Sequence, residues 1–149
     1  MPSLLLLLTF VVKQVAYSSG QSLVQYELSD LWKTRGINDV YLFPTLTSTI
    51  YPGFVGFKRE SGSSHIHLTA DEILGYESKW VKATQIKSVC SYIYMGSVFY
   101  VVNTDAANDR MVEISLNLTM AELEMVTVEM LEKKMKPSHI CRGADGHFQ

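Results

Sequence analysis

The amino-acid sequence predicts an α+β fold, an antiparallel β meander with an N-terminal helix and a C-terminal helix. Three observations carry that expectation. Ser97 to Asn103 is a dense β-forming run, with Val98, Phe99, Tyr100, Val101 and Val102 in succession. Met111 to Leu118 alternates, with Val112, Ile114, Leu116 and Leu118 on one side and Glu113, Ser115 and Asn117 on the other. Thr119-Met120-Ala121-Glu122 has the capping-box form, and the helix it opens runs to Lys136 and stops at Pro137. A chain of 149 residues, 47% hydrophobic and 19% charged, suits one globular domain with its own core.

The N-terminus reads as an address. Leu4 to Val12 is apolar except for Thr9. A membrane-spanning helix needs ~20 apolar residues, so the run is too short to cross a bilayer but matches the core of a secretory signal peptide. Ala16-Tyr17-Ser18 supplies small side chains for a cut after Ser18, and Ser18-Ser19-Gly20 offers a second register. The expectation is a signal peptide over residues 1–18 and a single secreted α+β domain over 19–149. The competing reading makes Leu4–Val12 a buried strand. Cleavage removes Lys13 and no acid, so the formal net charge moves from −2 to −3.

The mature part opens on a second capping-box form, Ser22-Leu23-Val24-Gln25. Val24, Leu28, Leu31 and Trp32 then fall on one face, which predicts a helix over Leu23–Arg35 that ends at Gly36, with Trp32 as an inward anchor. Asp39 to Ser48 is strand-like on both faces, and Pro44 places it at an edge or a bulge. Ile50 to Arg59 makes the next strand around Pro52-Gly53, and Glu60 to Ser64 reads as a polar turn. His65 to Thr69 is a short strand with Ile66 and Leu68 on one face and His65 and His67 on the other. Thr69-Ala70-Asp71-Glu72 is another capping box, for a helical turn lasting until Gly75. Trp80 to Ile93 is read as strand, Met95-Gly96 as a turn and Thr104 to Asp109 as a polar loop.

In the C-terminal helix, Met120, Leu123, Val126 and Met130 form an apolar stripe. Glu122 and Glu124 lead and Lys133, Lys134 and Lys136 trail, as the helix dipole favours. Methionines recur at 120, 125, 130 and 135, so they spiral around the helix. This reads as adaptable packing, with a methionine-lined binding groove as the sharper alternative.

Export changes how the cysteines read. Cys90 and Cys141 are the only two, and an oxidising compartment pairs them in one disulfide. Asn117-Leu118-Thr119 is an N-glycosylation acceptor, so Asn117 is a candidate glycan site. A net charge of −2 without a Lys/Arg-rich run excludes a nucleic-acid partner as an expectation. His65 and His67 place two imidazoles on one strand face, but two ligands do not make a metal site, and His139 and His147 lie in the tail. No G-x-S-x-G, H-E-x-x-H, G-x-G-x-x-G or phosphate-loop pattern occurs. The expectation is therefore a protein that is not an enzyme and uses no cofactor and no metal.

Binding remains. Eight Tyr, six Phe and two Trp are concentrated at strand positions, where a curled sheet would turn them into a cavity. Leu28-Ser29-Asp30-Leu31-Trp32-Lys33-Thr34, followed by Val40-Tyr41-Leu42, resembles the opening of the salivary lipocalins of blood-feeding arthropods. The order of helix, meander, C-terminal helix and tail cysteine is similar to that of the lipocalin superfamily. This resemblance, confined mainly to residues 22–46, implies a closed eight-stranded barrel that captures a small hydrophobic or amine ligand, and it assigns no ligand-binding residue. The competing expectation is a secreted protein–protein interaction module, an inhibitor or host-directed effector, with a filled core. Both readings expect an extracellular monomer with no membrane contact after signal cleavage. A barrel with an apolar cavity of ~300 Å³ or more would favour the first, and a filled core with a flat aromatic or apolar surface patch the second.

Overall fold

Gly53 to Leu68 is one sixteen-residue strand, and the rest of the sheet is arranged along it. In chain order the elements are β1 (Leu23–Glu27), α1 (Leu28–Leu31), β2 (Gly36–Thr45), β3 (Gly53–Leu68), α2 (Ala70–Trp80), β4 (Thr84–Tyr94), β5 (Ser97–Ala106) and α3 (Met120–Glu132). The computed structural model describes residues 23–31, 35–45, 52–80, 84–106 and 112–149. The signal-peptide region 1–18, the Ser22 cap and the Trp32 anchor lie outside the described residues.

All pairings are antiparallel. β2 runs along one side of β3, from Gly36 opposite His65 to Thr45 opposite Gly53. The other side of β3 is shared: β1 pairs with residues 53–57, and β5 with residues 63–68. β4 pairs with β5 across Met95-Gly96, whose φ angles of 48° and 77° are those of a two-residue hairpin turn that matches the twist of the strands. The described strands form an open path that does not close into a barrel.

Two irregularities lie along β3, and a third falls in β4 between Ile86 and Ser88. Between Asn38 and Val40, β2 advances two residues while β3 advances from Ser63 to Lys58, so Arg59–Gly62 bulges out of the ladder. Gly62 takes a φ of 100°, and a Cβ there would collide with the Thr104 carbonyl oxygen. The polar stretch expected to be a turn is this bulge inside a continuous strand. Its residues are tied to β5 and β2: Ser61 Oγ donates to Asp105 at 2.9 Å, and Arg59 lies over the Tyr41 ring at 4.7 Å. The second irregularity is His67, a non-glycine residue at φ 60°, where the register shifts between His65 and Leu68. It reverses the expected alternation, so that Ile66 and Leu68 enter different cores.

Those cores lie on opposite faces, because Val101 belongs to one and its neighbours Tyr100 and Val102 to the other. The first holds Leu28, Leu31, Leu42, Phe54, Ile66, Tyr92 and Val101. The second holds Leu68, Ile73, Val89, Tyr100 and Val102. Fully burying each such aliphatic or aromatic side chain contributes roughly 1.5–3 kcal/mol before entropy is counted. Between the strands sits Asn103, almost fully buried. Its Oδ1 accepts from the Leu42 amide (2.9 Å) and Ser64 Oγ (2.7 Å), and its Nδ2 donates to the Leu42 carbonyl (2.9 Å) and Ser88 Oγ (2.8 Å). One side chain of β5 thus joins β2, β3 and β4, which requires the sheet to curl.

Several expected elements differ. The helix over Leu23–Arg35 is instead β1 followed by the single turn α1. Val24 and Tyr26 are β-prone, and pairing with β3 supplies hydrogen bonds that an isolated short helix cannot match. Leu28 and Leu31 still turn inward together. The helix expected to end at Gly75 continues to Trp80, so β4 starts only at Thr84. A Cβ at Gly75 would meet nothing, and an exposed helical glycine costs only about 1 kcal/mol. β5 extends to Ala106, through the first part of the expected loop. Residues 112–116 are irregular and not a strand, although Ile114 and Leu116 pack on the second core as their alternation demands. The pattern placed their side chains, but the segment has no ladder partner.

The C-terminal part is fastened by Cys90–Cys141, a disulfide with Cα atoms 5.3 Å apart that links β4 to the tail. Closing a loop of 51 residues contributes about 4 kcal/mol in the chain-entropy picture. The tail folds back on itself, with Cys141 and Gln149 exchanging backbone bonds of 3.0 and 2.9 Å. Phe148 does the same with Leu118, just before α3.

Candidate functional site

The two histidines singled out in the sequence have separate surroundings. His65 Nε2 lies 3.2 Å from Ser63 Oγ. His67 Nδ1 lies 2.9 Å from the hydroxyl of the buried Tyr92. The His67 ring also stacks on Phe99, with centroids 3.7 Å apart and planes 16° from parallel. His67 is therefore held among aromatic rings and is not one of a solvated pair. Burial pushes both imidazoles below the ordinary histidine range; at His67 the Arg35 charge adds to this and Glu72 opposes it. Burial also raises the Tyr92 phenol well above its usual value, so it stays protonated.

A cleft of about 310 Å³ opens beside this ring, lined by Arg35, His67, Thr69, Glu72 and Phe99. Its chemistry follows from the elements that meet there. Arg35, at φ 51° just before β2, donates to the His67 carbonyl at 2.7 Å and pairs with the Glu72 carboxylate at 3.0 Å. Glu72 sits in the first turn of α2 because Thr69 caps that helix, accepting from the Glu72 amide at 3.2 Å. The guanidinium thus holds the Glu72 carboxylate and the His67 carbonyl at once, and with the ring contacts to Tyr92 and Phe99 it keeps His67 in its left-handed conformation, which costs roughly 1–3 kcal/mol. The capping box pointed to Glu72, but nothing local pointed to Arg35, Tyr92 or Phe99, which arrive from three other segments. Among the described residues no group of three or more His, Cys, Asp or Glu is placed to hold a metal ion.

The second candidate is α3. Its capping box forms as expected, with the Glu122 amide donating to Thr119 Oγ1 and the Thr119 amide to Glu122 Oε1, both at 3.2 Å. The helix is shorter than expected, ending at Glu132. Leu123, Val126 and Met130 of the expected stripe are half-buried, Met120 is 49% exposed, and α3 has no fully buried residue. Its other side is also apolar: Met125 is 71% exposed, Val128 58% and Leu131 56%. Met125 and Val128, three residues apart on one face, floor a shallow groove of about 440 Å³ whose other lining residues are Glu124, Glu129 and Glu132. The spacing of the methionines was the readable signal. Five residues turn a helix by about 140°, so one methionine in the series had to leave the covered stripe.

The predicted disulfide residues Cys90 and Cys141 are joined. Asn117 is exposed, at φ 58°, three residues before α3. No helix among the described residues is long and apolar enough to cross a membrane. No family model, curated protein or solved structure matches the chain.

Proposed function

We propose that the chain is a secreted, non-enzymatic protein–protein interaction module that engages its partner through α3. The observation that carries this reading is the contrast between the buried side-chain clusters on both faces of the sheet and the open apolar side of α3. Isolated exposed apolar residues are ordinary, but Met125, Val128 and Leu131 are large and lie on one short helix that buries none of its residues. The disulfide supports an oxidising destination, and exposed Asn117 is the proposed glycan attachment point.

Two measurements test the reading. Protein collected from secreting cells should begin after Ser18, with a mass that reports the disulfide and a glycan at Asn117; an intact N-terminus would remove the export premise. Hydrogen exchange in the presence of an uncharged amphipathic helical peptide should slow in α3. No slowing there would overturn the interaction reading.

The second reading, capture of a small hydrophobic or amine ligand, draws on the curl of the sheet at Asn103 and on the cleft beside His67. It expects an apolar fluorophore to slow exchange in the sheet and around His67, with α3 unchanged.

A further inference from the structure

We infer that the α3 groove selects a cationic amphipathic helix, one that carries lysine or arginine beside its apolar stripe. This rests on the interaction reading above and adds the chemistry of the partner. The floor is Met125, whose unbranched thioether side chain takes up irregular apolar surfaces with little directional demand, beside the small apolar Val128. A floor of this kind binds without discrimination. Discrimination comes from the rim, where Glu124, Glu129 and Glu132 place three carboxylates around two apolar side chains, and none of the five lining residues is basic. A partner helix with apolar residues three and four apart seats them on Met125 and Val128 and carries its flanking side chains over those carboxylates. Cations there gain attraction, and acids are rejected by like charge.

The same rim argues against a second copy of the chain as the occupant. Antiparallel pairing of two α3 helices about Val128 sets Glu124 of one copy against Glu132 of the other. Parallel pairing sets each glutamate beside its own counterpart. Either arrangement brings like charges together. One helix face of this length offers less than the ~800 Å² per partner of a standard interface, so the complex is weak and exchanges rapidly.

The test uses the full, disulfide-bonded protein and three designed helical peptides of about 18 residues. They share one leucine stripe and differ in flanking residues: lysine, glutamine or glutamate. The lysine peptide should bind about tenfold tighter than the glutamine peptide, as three exposed pairs at roughly twofold each would produce. That preference should collapse as salt rises from about 0.05 to about 0.5 M, and the glutamate peptide should bind most weakly. The triple variant Glu124→Gln, Glu129→Gln, Glu132→Gln should lose the preference while keeping affinity for the glutamine peptide. No core packing is disturbed, since α3 has no buried residue. Equal binding of all three peptides would overturn the charge inference and leave the interaction reading standing. Failure of all three to bind would overturn both. Concentration-dependent dimerisation through Met125 and Val128 would overturn it in favour of a second copy.

Discussion

Asn103 and Met125 stand at opposite ends of one design. Asn103 is 1% exposed and has a partner for each hydrogen-bonding position of its amide. Met125 is 71% exposed on a helix that contributes nothing fully buried. In the sheet body, polar groups serve the fold, and even the strained His67 is held by neighbours that use their charges and rings on one another. On α3, apolar groups are left outside the fold. The difference teaches that the groups that hold the fold and the groups the proposed interaction would use lie in separate parts of this chain, so each set can be altered without the other.

The largest effect should come from Asn103→Ala. It strands the Leu42 amide and carbonyl and the hydroxyls of Ser64 and Ser88 away from water, at a cost of roughly 3 kcal/mol. Urea unfolding should report it as a lower midpoint at constant slope. A loss below about 1 kcal/mol would mean that water replaces the amide and that the sheet is looser than described.

Thr119→Ala should cost about 1 kcal/mol by removing the cap of α3. The loss should appear as faster amide exchange within α3, with little change in the global midpoint. A global shift of the full amount would show that α3 folds with the body and would dissolve the contrast.

Acid should weaken the body. The folded-state pKa values of His65 and His67 are lowered, so native protein prefers the neutral rings. Above the ordinary histidine value of 6.5 both folded and unfolded chains are neutral, and the contribution is complete. As pH falls below it, the unfolded chain takes up protons first and stability declines. Unfolding midpoints at pH 7 and pH 5 should show this fall, and His67→Gln should reduce it. Arg35, Glu72 and Tyr92, which surround His67, are left in place by that substitution.

The smallest effect should be that of Met125→Ser with Val128→Ser, within about 0.5 kcal/mol of the parent in urea unfolding. A loss well above 1 kcal/mol would reveal that this face is covered in the native fold, and the interaction reading would go with it.

Much of the fold was legible where short-range chemistry decides. The N-cap at Thr69, the capping box at Thr119, the Met95-Gly96 turn, the β5 run and the edge strand at Pro44 all depend on residues within a few positions. The errors share one cause. Leu23–Glu27 has a helical spacing of apolar residues but is claimed by a free stretch of β3. Met111–Leu118 has strand alternation, but its described residues 112–116 find no ladder. The candidate sites divide in the same way. His67 and the methionine series stood out in the sequence, whereas the partners of His67 did not, because Arg35, Glu72, Tyr92 and Phe99 are joined to it only by folding.

Local patterns by themselves determined that Leu28 and Leu31 turn inward together, where α2 and α3 are capped and that Cys90 and Cys141 form the only possible internal pair. Tertiary structure alone decided which segment pairs with which, that Arg59–Gly62 bulges where a turn was expected, and which face of α3 stays uncovered. The physical reason is one of range. Capping and alternation are set within a turn or a few residues, whereas backbone hydrogen bonds between strands depend on which edges remain open once the chain has collapsed.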